Sequence, residues 1–86
     1  MLTLKEACGK ALDNMLEKQG NYGICEVAEL PDKWIFLGYG GGVYGNTPVT
    51  VSKNSGEIRN FSFAIPENYE KYYHESELLE VPEEYR

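Results

Sequence analysis

The sequence predicts an α+β domain: an N-terminal amphipathic helix packed on an antiparallel sheet of about four strands, then a short C-terminal helix or irregular acidic tail. Three observations predict it. Apolar residues from Leu4 to Leu16 recur at helical spacing. Short apolar segments separated by turn residues fill the middle of the chain. The connections between them are short and sequential, which favours a meander over crossovers. The chain has 86 residues, so we read 1–86 as one domain, with a core that is small for its surface.

The helix is expected over residues 3–19. Thr3 and Glu6 stand at capping-box spacing, Leu2 and Ala7 at staple positions, and Gly20 suits a left-handed C-cap. Leu4, Ala7, Cys8, Ala11, Leu12, Met15 and Leu16 draw the apolar face. Gly9 falls at its edge, where a strand is expected to pack closely.

A first strand is expected over 23–30, with Cys25 and Val27 inward and Glu26 outward by simple alternation. Pro31 and Asp32 mark a turn. Trp34 to Leu37, within a strand over 33–38, is apolar on both faces and predicts a central strand covered from both sides. Gly38 to Asn46 holds five glycines and two tyrosines and is read as a loop. Strands over 48–53 and 57–63 follow, joined by a hairpin in which Gly56 suits a positive φ. Phe61 and Phe63 have the opposite parity to Ile58, so a bulge or a change of covered face is expected there. Pro66 and Glu67 open a short helix over 66–73. It places Tyr69, Tyr72 and Tyr73 on one side.

The formal charge is −6, and the seven glutamates between Glu67 and Glu84 face only Lys71 and Arg86. Nucleic acid and anionic membranes both demand positive patches, so neither is expected as a partner. A basic protein fits best. No signal-length or membrane-length apolar run interrupts the chain, and the expected location is the cytoplasm.

The chemistry-bearing residues do not assemble into a recognisable site. His74 is the one histidine and has no ligand-spaced neighbour. Cys8 and Cys25 lack C-x-x-C spacing and are read as buried core thiols. The glutamates cluster in a polar tail, unlike the facing carboxylate pair of a glycosidase. The glycine-rich stretch continues into Asn46-Thr47 without the Gly-Lys-Ser/Thr of a phosphate loop. No catalytic residue, metal or cofactor is therefore expected. Tyrosine, used seven times, suits interfaces because it buries an apolar body and keeps a polar tip. Tyr22 and Tyr69 are read as core rings. Tyr39, Tyr44, Tyr72, Tyr73, Glu70, Glu75 and Glu77 are the candidate partner-binding residues.

Pro31-Asp32-Lys33-Trp34-Ile35-Phe36, Gly45-Asn46-Thr47-Pro48-Val49-Thr50-Val51 and Lys53-Asn54-Ser55-Gly56-Glu57-Ile58 together resemble the YrhB-like immunity protein 35 family of bacterial polymorphic toxin systems. The resemblance spans residues 4–60. It implies that Trp34 and Phe36 are core strand residues, that Gly56 is the hairpin glycine, and that the protein neutralises a cognate toxin by binding. The stretch between Tyr39 and Gly45 and the C-terminal Tyr/Glu segment depart from the family pattern. The expected function is thus a non-enzymatic, immunity-type binding protein. Its alternatives are a small structural or regulatory homodimer, or a small-molecule binder using the glycine loop and His74.

Overall fold

The computed structural model describes residues 1–40 and 47–86. Helix α1 (Leu4–Gln19) starts where the capping box puts it. Glu6 N–H donates to Thr3 Oγ1 at 3.2 Å and Thr3 N–H donates to Glu6 Oε1 at 2.9 Å. Gly20, at φ 73°, ends the helix and donates to the Leu16 carbonyl. The buried stripe is Ala7, Cys8, Ala11 and Met15. Three of these are small, which lets the helix axis come close to the sheet. Leu16, expected in the stripe, is exposed instead, because it lies about 100° around the helix from Met15, away from the side shared with Ala7 and Ala11.

Among the described residues five strands, one more than expected, form a fully antiparallel sheet in the order β4-β3-β2-β1-β5. They are β1 (Asn21–Glu29), β2 (Lys33–Gly40), β3 (Val49–Ser52), β4 (Ile58–Asn60) and β5 (Glu77–Leu79). Between β4 and β5 lie a one-turn helix, α2 (Pro66–Glu70), and a wider π-helical turn over Lys71–Glu75; a 3-10 turn over Glu83–Tyr85 follows β5. The expected loop from Gly38 is corrected: residues 38–40 continue β2. The rest of that glycine stretch, including Tyr44, lies outside the described residues. The expected fourth strand is also shorter. After Asn60 the Phe61 N–H donates to the Pro48 carbonyl at 2.7 Å, and the chain crosses to the other side of the sheet.

β2 is the central strand and is covered on both faces. Trp34 and Phe36 join Val27, Ile24, Val49 and Val51 beneath α1. Ile35 joins Ala28, Leu30 and Phe61 on the far face, with Leu37, Phe63 and Tyr72 packed around them. Fully burying each of these side chains contributes about 1.5–3 kcal/mol, so the second face is a true minor core. The tail then returns to the helix side. Val81 is buried there, and the Tyr85 ring lies over Gly9, its hydroxyl 3.5 Å from where a Cβ would stand. A C-terminal tyrosine, not a strand, explains the close approach at Gly9.

β1 departs from regular alternation. Its pairing with β2 shifts between Asn21 and Ile24 and again between Ile24 and Glu26. Each shift inserts one extra residue, as a β-bulge does, and re-aims the side chains that follow. Asn21, Ile24 and Val27 consequently all face α1, while Tyr22, Glu26 and Ala28 go to the opposite side. Two expectations are corrected here. Cys25 is exposed rather than inward, and Tyr22, read as a core ring, is 72 % exposed.

The first bulge is held by a tight contact. A Cβ on Gly38 would stand 2.4 Å from Asn21 Nδ2 and 3.1 Å from Asn21 Cβ. Asn21 is fully buried and has no room to yield.

Two outcomes follow for this architecture. In the native protein a thiol reagent should label Cys25 at once and leave Cys8 untouched until unfolding; two equally protected thiols would contradict the bulged register. Gly38→Ala should cost about 2 kcal/mol in denaturant unfolding, and adding Asn21→Ala should recover part of the loss.

Candidate functional site

The sheet face opposite α1 carries the exposed aromatic side chains. Residues paired across strands share a face, so Ala28, Ile35 and Leu78 form one row, and Glu26 lies beside Leu37 in the next. Tyr22 and Tyr39 complete this face at one end. Their rings stack at 6.0 Å with an interplanar angle of 14°. Tyr39 was expected as a contact residue; Tyr22 was read as a core ring and instead stacks on it at the surface.

The segment from Phe61 to Ser76 packs over the other half of the same face as a continuous array of rings. Phe61 meets Phe63 edge-on at 6.2 Å, and Phe63 lies 4.7 Å from Tyr72 and 5.7 Å from Tyr69. Tyr69 stacks on Tyr73 at 6.0 Å, and His74 meets Tyr73 edge-on at 4.9 Å. The array runs from a buried ring, Phe61, to an open one, Tyr73, which is 66 % exposed. Tyr69 was read as a core ring but is 46 % exposed; it props up Tyr73 instead of filling the interior. Packing of this kind fixes the outer rings before any partner arrives.

One polar contact ties the array to the sheet. The Tyr72 hydroxyl donates a short hydrogen bond to Glu26 Oε2. The Ser76 hydroxyl in turn donates to the Tyr72 carbonyl, which secures the end of the π-helical turn. Burial, then the hydrogen bond to and charge of Glu26, push the Tyr72 phenol up to about 12. Cys25, beside Glu26, has its thiol pushed up as well, first by partial burial and then by that carboxylate. Neither is an activated nucleophile, since activation requires a lowered pKa or an adjacent base. Cys8 sits beneath α1, across the sheet, and burial raises it to about 11.

The expected carboxylates separate into two places. Glu70 lies 3.2 Å from His74 Nε2, one helical turn away, at the outer edge of the ring array. Glu75 and Glu77 line a shallow depression of about 280 Å³ together with Glu29, Leu30, Pro31 and Lys53. There Lys53 Nζ is 2.8 Å from Glu29 Oε2 and 5.3 Å above the Trp34 ring. This acidic corner adjoins the aromatic face but is not part of it. Tyr44 lies outside the described residues.

Tyr22, Glu26, Leu37 and Leu78 belong to the site and were not expected in it. Gly23 was the available signal, because a glycine inside a strand often marks a bulge. Leu78, 63 % exposed, becomes part of the face only through β5. A further depression, about 320 Å³, lies at the β3–β4 hairpin and is lined by polar residues such as Thr50, Ser52, Glu57 and Arg59. Small-molecule sites are mostly apolar with a few polar groups, so this one offers little hold on a ligand. Among the described residues no group of three or more His, Cys, Asp or Glu converges as a metal site, and no helix is long and apolar enough to cross a membrane. Comparisons with family profiles, curated proteins and solved structures return no match for this chain.

The Tyr72–Glu26 bond has a spectroscopic signature. A phenol whose folded pKa is raised stabilises the fold below its ordinary value near 10 and loses that contribution as pH rises through about 12. Absorbance titration should therefore show a tyrosine ionisation near pH 12, absent in Tyr72→Phe. The same variant should lose about 1 kcal/mol of stability at neutral pH, a difference that shrinks between pH 10 and 12.

Proposed function

We propose that this is a non-enzymatic binding protein of the immunity type, which acts in the cytoplasm by laying its aromatic sheet face on a basic surface of a bacterial toxin and occluding it. The observation that carries the reading is the exposed, ring-packed tyrosines on a sheet face whose central carboxylate is Glu26. Tyrosines already locked by neighbouring rings lose little conformational freedom on binding, which is what gives interface anchors their strength. The molecule measures 30 × 28 × 22 Å, so one broad face offers an area on the order of the 800 Å² that each partner contributes to a standard interface.

The charge favours a basic partner. With a formal charge of −6, the protein attracts a positive surface at long range and accelerates encounter, more so at low salt. It also disfavours the homodimer reading, because pairing this face with its own copy brings Glu26 and Glu70 toward their equivalents. The resemblance of residues 31–36, 45–51 and 53–58 to immunity proteins supports the toxin as the kind of partner, and supports inhibition by contact over catalysis.

A toxin encoded beside this gene should bind the wild type tightly. Tyr22→Ala and Tyr73→Ala, both at exposed positions, should each weaken binding about 30-fold or more, as loss of a 2 kcal/mol anchor does. Rising salt should slow association more than it speeds dissociation. Full affinity in the double variant would move the interface elsewhere. A concentration-dependent dimer abolished by the same substitutions would favour the homodimeric module.

A further inference from the structure

We infer that the groove bounded by Tyr72, Tyr73, Ser76 and Leu78 is the seat for an arginine side chain of the partner, which anchors the complex at the C-terminal end of the aromatic face. This rests on the proposed docking reading and adds the chemistry of one contact to it.

The groove has a volume of about 230 Å³ and lies between the π-helical turn and β5. Its walls are two phenol rings and an exposed leucine. Such walls suit a flat, weakly hydrated group that stacks on aromatic faces, which describes a guanidinium far better than a compact, strongly hydrated ammonium. Tyr73 presents most of its surface to solvent, while Tyr69 and His74 hold its ring in place. The two cation–ring contacts among the described residues involve Phe61 and Trp34, not the rings of this groove.

The polar lining selects a donor. Ser76 spends its hydroxyl proton on the Tyr72 carbonyl, and Tyr72 spends its own on Glu26. What these two hydroxyls can still offer is lone pairs. A guanidinium has five N–H donors and no acceptor, so it matches these lone pairs in kind. The charge of the segment has the same sense: between residues 67 and 80 five glutamates face the single ammonium of Lys71, two of them, Glu75 and Glu77, lining the depression at the acidic corner. A carboxylate or phosphate ligand would meet repulsion and no free donor from Ser76 or Tyr72.

The test uses the full chain and a tetra-arginine peptide, followed by amide and ring NMR shifts, with tetra-lysine and tetra-citrulline peptides as comparisons. Tetra-arginine should shift Tyr72, Tyr73, Ser76 and Leu78 together. Tetra-lysine should bind at least 3-fold more weakly, and tetra-citrulline, which is flat but neutral, should leave those resonances in place. Tyr73→Ala should weaken tetra-arginine binding about 3- to 10-fold, the range of a partly desolvated cation–π contact, and Tyr73→Phe should retain it. Equal shifts with arginine and lysine spread over exposed glutamates, or indifference to Tyr73→Ala in a chain whose spectrum stays folded, would overturn the inference. The docking reading fails separately: a cognate toxin that ignores both Tyr22→Ala and Tyr73→Ala would sink that reading even if tetra-arginine still marks the groove. A toxin sensitive to Tyr22→Ala alone would keep it and remove the arginine anchor.

Discussion

Nine residues of β1 have to serve two packed faces of the sheet, and regular alternation would send Ile24 away from the core under α1. In strict period-two order Ile24 would share a face with Tyr22, Glu26 and Ala28, while Asn21, Gly23, Cys25, Val27 and Glu29 took the other. The two register shifts remove that conflict. Ile24 joins Val27 in the core under α1 and Cys25 is turned out, while Tyr22 and Glu26 keep the face they share with Ala28, because the two shifts cancel beyond Ile24. The extra residues cost ladder regularity, yet they let one strand fill the major core and keep Tyr22 and Glu26 on the far face. Asn21 packed against Gly38 is the tight point on which the first shift depends.

The cover of the far face depends on Glu26. Tyr72 docks because Glu26 is there to accept its hydroxyl, and the ring array from Phe61 to Tyr73 is held over the sheet by that bond and by the Phe61 anchor. The covering segment offers few fully buried side chains of its own; α2 and the π-helical turn bury none completely. Such a segment belongs to the less stable end of the molecule and can open locally without global unfolding. Packed rings limit this where it matters for binding, because Tyr69 and Tyr73 support one another without deep burial.

Electrostatics and packing are thereby divided along the chain. The helix and the first four strands carry the cores, while the C-terminal segment carries most of the negative charge and the open rings. A small domain with a thin core gains from this division: substitutions among the open rings need not disturb α1 or the strands beneath it. The acidic corner at Glu29, Lys53, Glu75 and Glu77 lies at the border of the two regions and ties the β3–β4 hairpin to β1 through Lys53.

The sequence by itself determined the elements whose physics is local. Thr3, Glu6 and Gly20 set the ends of α1; the doubly apolar run from Trp34 to Leu37 announced a central strand covered on both sides; Gly56, at φ 74°, marked the hairpin. It also placed Tyr39 and Tyr73 at the surface and the charge after Pro66, whereas Tyr72, expected beside them, packs onto the far-face core. Tertiary structure alone decided the rest. β5 is three residues with no alternation of their own, a strand only because β1 offers a free edge to Glu77–Leu79. Cys25 faces outward, and Ile24 inward, only because bulges re-phase β1 against β2, and a bulge is a property of two strands in register rather than of either one. The aromatic face joins residues 22, 26 and 39 to residues 69–78, and nothing in the linear order brings them together until the chain crosses at Phe61 and Tyr72 finds Glu26.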